Sequence, residues 1–548
     1  ATSDVYIGGL TVTAGPGTTA INVNFTGTGT WSQSITTPFT VNVNINTPGT
    51  LTISGNIYYN TKTIKWIQGT VDAITSTLNM NAATTLDTTS NVVWYNIAPS
   101  NVTITLASNL QWSGTLSTAT GGVTFSGAGF FSPAQTNGSI SLAVGLTVPN
   151  SFYIQNLTTT ANVNLNGVFN CSLAGNLTLG GTLGGTTSLI MVGTGTWSGN
   201  FRVTNNLTFN SSGTITISGN VNYGTNTITY TAGTMVTAGS TLNIISGTLD
   251  TNTMVWAGFF IQNTAAVTIT LNSDLNCNET FYVNITGTPT LTLAGTGGFY
   301  PTGTLQITAV TLSLKNSITL NTLNIGATTL NGGFTCSTQN ITGGGLSGAV
   351  SCSLIGTGTF SPTSIGVPVT FNSTQTTLSG SITFNANPSS LTYSGGTIVV
   401  GTSTVTIQSN STVTGAMQFY NLTLSSGTVT VTLNTANISV SNLLSIPGNI
   451  TFAGTAGFTT NQLSCTTVGL TQTLKSGNTY TVTGSLTLTG TATVGTLVAT
   501  STASLNSAIV TNSLTVQGID VGARLAQISV SLGIVNDPLT LGTIAVGT

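Results

Sequence analysis

The residues able to do acid–base chemistry are few. The chain of 548 residues carries Asp4, Asp72, Asp87, Asp250, Asp274, Glu279, Asp520 and Asp537 and has no histidine. Without an imidazole there is no usual general base, no Ser-His-Asp triad and no histidine metal site. Glycoside hydrolysis needs only two carboxylates about 5 to 9 Å apart, so a polysaccharide-processing enzyme is the catalytic reading to test. Asp274 and Glu279 are the closest such pair in sequence, and Asp250 with Asp72 or Asp87 is the pairing that folding would have to create. Asp72 is answered by Val236 in the internal repeat described below, and the later copies have no matching acid cluster. Solvated or turn-capping carboxylates are therefore expected, with no catalytic, cofactor-binding or metal-binding residue assigned. The scarcity of aspartate also argues against calcium-binding repeats.

Other reactive groups are equally dispersed. Cys171, Cys277, Cys336, Cys352 and Cys465 are odd in number and lack Cys-x-x-Cys spacing, so most read as small buried hydrophobes, with a stray disulfide open. Lys62 and Lys65 beside Trp66 form the one basic couple, and strand alternation would point them to opposite faces. Trp31, Trp66, Trp94, Trp112, Trp197 and Trp256 would stack on sugars if exposed; core plugs or corner residues are the expectation. Asn-x-Ser/Thr acceptors recur at Asn24, Asn101, Asn137, Asn156, Asn170, Asn176, Asn206, Asn210, Asn278, Asn284, Asn340, Asn372, Asn410, Asn421, Asn437 and Asn449. Asparagine-rich composition generates such triplets unaided, while passage through a glycosylating compartment would make coil corners carry sugar.

Only 3% of residues are charged, against roughly a quarter in ordinary domains. Six basic residues cannot neutralise a run of phosphates, which excludes nucleic acid as a partner. Hydrophobic residues make up 39% and mean hydropathy is +0.36, which is not the composition of a disordered chain. Thr, Val and Ile abound while charged helix formers are nearly absent, so the class is all-β. No run of 18 apolar residues marks a membrane span. The chain starts at Ala1 with no charged-plus-apolar leader, so processing or a fragment is expected.

Repetition occurs at two scales. Short alternating strands closed by glycine or asparagine recur, as in Leu177-Thr178-Leu179-Gly180-Gly181 and Leu291-Thr292-Leu293-Ala294-Gly295. A longer unit of roughly 160 residues occurs three times. It carries Gly27-Thr28-Gly29-Thr30-Trp31-Ser32, Gly193-Thr194-Gly195-Thr196-Trp197-Ser198 and Gly356-Thr357-Gly358-Thr359-Phe360-Ser361. Downstream, Thr63-Ile64-Lys65-Trp66 answers to Thr227-Ile228-Thr229-Tyr230 and Ser390-Leu391-Thr392-Tyr393. Trp31, Trp197 and Phe360 stay aromatic while polar neighbours drift, a pattern that core packing explains.

The pattern implies a parallel β-helix with coils of about 20 to 25 residues and a block of about seven coils repeated. Tandem β-sandwich domains, one per long unit, are the alternative. The divisions are an N-terminal strand cap at 1–25, repeat units at 26–190, 191–350 and 351–500, and a capping or assembly segment at 501–548.

These Gly-Thr-Gly-Thr-Trp-Ser and Leu-Thr-Leu-x-Gly repeats resemble those of repeat-rich fibre and surface proteins of large DNA viruses, phages and bacterial adhesins. The stretch Leu514-Thr515-Val516-Gln517-Gly518-Ile519-Asp520-Val521 with Arg524-Leu525 is similar to a linker near the C-termini of viral tail-fibre proteins. There it precedes a coiled coil or trimeric head, whereas Ile528-Ser529-Val530-Ser531-Leu532 reads as more strand. The resemblance implies a non-catalytic structural or attachment fibre, extracellular or on a cell or virion surface, associating with copies of itself. An adhesin or carbohydrate-binding surface protein, with a glycan or receptor as partner, is the second expectation. No cofactor is expected.

Overall fold

The computed structural model describes residues 5–7, 11–12, 22–33, 40–516 and 519–520. Short internal stretches at 61, 135–137, 200–201, 225, 238–240, 245, 252–253, 264–265, 286–289, 309, 386–388, 425–426, 466–470, 474–477 and 500–502 are excepted. By contacts the chain divides into two compact units. The first comprises 1–262, 268–278 and 294–297; the second comprises 263–267, 279–293 and 298–548.

Each unit is a β-solenoid of parallel strands. In the first, Val163–Asn166, Asn170–Leu173 and Leu177–Leu179 make one three-sided coil, followed by Leu183–Gly184, Ser188–Met191 and Gly195–Ser198. Val163 pairs with Leu183, Asn170 with Ser188 and Leu177 with Trp197, all in parallel. Rung-to-rung offsets run from 16 residues at Thr335↔Ser351 to 24 at Thr280↔Thr304. The tandem sandwich reading is set aside, because sandwiches pair their strands antiparallel. Among the described strand pairs only Thr515–Val516 with Ile519–Asp520 is antiparallel. Thr89–Asn91 forms a short 3-10 turn, and no α-helix occurs among the described residues.

Alternation drives this arrangement. One side chain in two points inward, so Leu-Thr-Leu strands bury leucine and expose threonine. Stacking in register then places like over like. In the first unit the inner ladder runs Phe152–Cys171–Leu189–Leu207–Ile228–Leu249–Leu271. In the second it runs Ile318–Cys336–Cys352–Val369–Leu391–Val413–Leu433. All fourteen are buried, each aliphatic one stabilising the fold by roughly 1.5–3 kcal/mol relative to exposure. Outside stand rows of hydroxyls. Ser117–Ser141–Thr158–Thr178–Ser198–Ser218 line one face of the first unit. Ser364–Thr383–Thr406–Thr423–Ser445–Ser464 line one face of the second.

The long repeat is out of phase with the coil. Trp31 stacks on Ile53. Their counterparts Trp197 and Ile217 stack on the next face of the coil, on the ladder Ile57–Leu78–Ile97–Leu116–Ile140–Leu157–Leu177–Trp197–Ile217. Ile57 follows Ile53 around the corner at Gly55, where φ is +69°. One block therefore spans the eight steps from Ile57 to Ile217 plus one face, or eight and a third coils. The expected seven coils fall short because most coils are nearer 20 residues than 25. Equivalent residues of the first two copies thus lie on adjacent faces.

The first segment, 1–25, contributes rungs: Val5–Ile7 pair in parallel with Val23–Phe25, and Thr11–Val12 with Thr30–Trp31. At the other end Ala503–Val516 pair in parallel with Leu486–Ala499. Residues 517–518 and 521–548, including Arg524 and Ile528–Leu532, lie outside the described residues.

Trp31, Trp197 and Phe360 are all buried, with Phe25, Phe209 and Phe371 as ring neighbours at 5.5, 6.2 and 5.5 Å. The Trp197 indole N–H is buried without a hydrogen-bond partner, so the indole contributes through its volume. Trp197→Phe, which installs the ring found at position 360 but leaves part of the indole volume empty, is expected to cost about 1–2 kcal/mol. Trp197→Ala is expected to cost about 3–5 kcal/mol in urea unfolding.

The buried protic groups set an alkaline limit. Burial pushes the Cys171 thiol up and the Cys465 thiol up to about 12; a hydrogen bond to Cys352, then burial, raises Cys336. Burial likewise raises the Tyr59 and Tyr223 hydroxyls. In the unfolded chain thiols ionise near about 8.5 and phenols near about 10. Above those values the unfolded state loses protons that the folded state keeps, so these groups favour unfolding as pH rises. The urea midpoint should hold to about pH 8.5 and then fall; a midpoint that rises over that range contradicts the assignment.

Candidate functional site

Asp250 meets neither Asp87 nor Asp72. Asp87 lies in the coil of Leu86, and the same face climbs eight coils through Leu106, Phe125, Leu146, Leu165, Leu183, Val203 and Tyr223 before reaching Ile244, just below Asp250. At about 4.8 Å per coil that is roughly 38 Å along the axis. Asp72 is farther from Asp250 still. The anticipated approach of Asp250 to either partner is therefore corrected: in-register stacking lets a residue meet only its neighbours one coil away. Asp274 and Glu279 are both exposed. Asp4 and Asp537 lie outside the described residues, and Asp520 closes the antiparallel pairing at Thr515. Among the described residues no group of three or more His, Cys, Asp or Glu is placed to hold a metal ion.

Lys62 and Lys65 are both exposed, which corrects the opposite-face expectation. Lys62 precedes the strand Thr63–Met80, so strand alternation does not govern it. Lys65 stacks in register between Asn44 and Asp87. Trp31, Trp94, Trp112, Trp197 and Trp256 are fully buried, whereas Trp66 is half-buried. All five cysteines are buried. No helix among the described residues is long and apolar enough to cross a membrane.

The acceptor asparagines stand on the outside. Asn137 lies outside the described residues; of the other fifteen, none has a buried side chain overall. Asn101, Asn170, Asn176, Asn206, Asn210, Asn278, Asn372, Asn410 and Asn437 are exposed. Asn24, Asn156, Asn284, Asn340, Asn421 and Asn449 are half-buried. Several act as pegs between coils: a side-chain carbonyl accepts a backbone N–H from the coil above. Asn156 accepts from Asn176 at 2.8 Å, Asn176 from Thr196 at 2.9 Å and Asn340 from Thr359 at 2.9 Å. Asn410 accepts from Thr430 at 2.8 Å and Asn437 from Gly457 at 2.7 Å. Asn-x-Thr is thus the alternation itself, with an outward peg, an inward core residue and an outward hydroxyl.

A second device recurs once per long repeat and went unread in the sequence. Trp66 Nε1 donates to the Gly69 carbonyl at 3.1 Å, and the Tyr230 and Tyr393 hydroxyls donate to Gly233 and Gly396 carbonyls, both at 2.7 Å. The three glycines have φ of +100°, +119° and +88°, a region side chains disfavour. Beside each, the ladder slips register, at Ile45/Asn46, Phe209/Asn210 and Phe371/Asn372. Thr47, Ser211 and Ser373 are buried there. An aromatic donor three residues before a glycine is the signal, and each motif locks a bulge that turns a corner.

Tyr59 and Tyr223 pin another corner. Their buried hydroxyls lie 2.7 Å from the Val41 and Thr63 carbonyls and from the Asn205 and Thr227 carbonyls. Every recurrent polar contact found therefore joins coil to coil or holds a corner. No family model, curated protein or solved structure matches the chain.

Asn176→Ala leaves the Thr196 N–H without its partner and should cost on the order of 1 kcal/mol in urea unfolding. A cost indistinguishable from that of an exposed hydroxyl such as Thr178→Ala would remove the peg role.

Proposed function

We propose that the chain is a structural segment of an extracellular or virion-surface fibre that associates with copies of itself and is not catalytic. The observation that carries this reading is the uniformity of the outside. In-register hydroxyl rows line a face of each unit, and the long repeat moves equivalent residues of the first two copies from one face to the next. A groove enzyme or one-sided receptor strip would need its special residues to return to the same face, and the block of eight and a third coils does not return them. The eight coils between Asp87 and Asp250 support the same reading. Hydroxyl rows suit lateral contact with a second copy, where salt has little charge to screen.

The adhesin reading has its own support. Phe130 is 60% exposed and Val168 is 92% exposed, with Phe169 beside it, on one corner of the first unit about two coils apart. An apolar corner of this kind suits a glycan or receptor contact.

Sedimentation across a concentration series, with negative-stain microscopy, tests the fibre reading. Concentration-dependent filaments or bundles, unchanged by added salt, are expected. A monomer at every concentration, or release of reducing sugar from a polysaccharide panel, would overturn it.

A further inference from the structure

Of the five cysteines, two are brought together by the ladder. Cys336 lies in Thr335–Gly348 and Cys352 in Ser351–Leu354, and the two pair directly, in parallel, on neighbouring coils of the second unit. The step between them is 16 residues, an offset matched at Thr491↔Ser507. Both side chains are buried in the ladder between Ile318 and Val369, and their thiols are within hydrogen-bonding reach of each other. Cys465 lies on a different face of that unit, paired with Leu488.

We propose that Cys336 and Cys352 form a disulfide when the chain folds under oxidising conditions, a covalent staple between two adjacent coils. Neighbouring strands lie about 4.8 Å apart, inside the Cα separation of roughly 4.4–6.8 Å that a disulfide spans. The Cβ atoms must draw about 1 Å closer than strand spacing to reach bonding geometry, a closure confined to one rung.

The chemistry is thiol–disulfide exchange with a low-molecular-weight disulfide such as oxidised glutathione. One cysteine thiolate attacks the donor, forming a mixed disulfide and expelling one small thiol. The second cysteine then attacks the protein sulfur of that mixed disulfide and expels the other. The two protein thiols are oxidised, the donor is reduced by the same two electrons, and both protons leave on the small thiols. Burial closes the site to reagents once the coil has formed, so exchange belongs to the folding step.

The test is to refold the full chain with oxidised and reduced glutathione, alkylate free thiols and map peptides without reduction. A peptide joining Cys336 to Cys352 is expected, with Cys171, Cys277 and Cys465 alkylated. Reductant should then lower the denaturation midpoint of the wild type and leave that of Cys336→Ala unmoved. Recovery of Cys336 and Cys352 as free thiols, glutathione adducts or partners of other cysteines would overturn the proposal. The wild-type map decides even if the variant does not fold.

Discussion

Everything in this protein depends on parallel strands stacking in register, one coil above another at the spacing of backbone hydrogen bonds. That constraint makes each residue answerable to the residues about 20 positions before and after it. Leucine must stand on leucine or its equal in volume, and hydroxyl on hydroxyl. Charge is nearly forbidden on such a surface, because any charged residue repeated along a row would face its like at about 4.8 Å. The 3% charged composition avoids such rows, and Lys65 stacked on Asp87 is an arrangement the ladder tolerates.

Corners are where the ladder needs help. There the chain leaves strand conformation, and backbone groups must be satisfied by other means. Asparagine pegs accept the stray N–H groups, tyrosine hydroxyls at positions 59 and 223 meet paired carbonyls, and the aromatic-to-glycine bond fixes each bulge. Because every face obeys the same inward–outward rule, a block can be added in units of a single face. The offset of one face between the first two copies is compatible with that equivalence.

The fold class was legible because alternation and glycine punctuation are local properties of strands such as Leu177–Leu179. The repeat was legible because Trp31, Trp197 and Phe360 must all fill the same kind of interior space. Phase was not legible: whether a block closes after whole coils depends on the length of every corner, and Gly55 or a bulge at Asn210 changes that by a residue or two. Proximity across coils was hidden for the same reason. Asp87 and Asp250 looked free to meet and stand eight coils apart, while Cys336 and Cys352, separated by no motif spacing, stand directly on one another. The asparagine pegs were visible as acceptor triplets, but composition alone gives no reason for their place at the start of a strand.

Paired spin labels at Ser117 and Ser218 test the central claim most directly, since they occupy the same outward row five rungs apart. The ladder predicts a single narrow distance distribution centred near about 24 Å, five strand spacings, for residues that are 101 positions apart in the chain. A broad distribution, or a centre well beyond that value, would contradict in-register stacking and return the chain to separate packed domains.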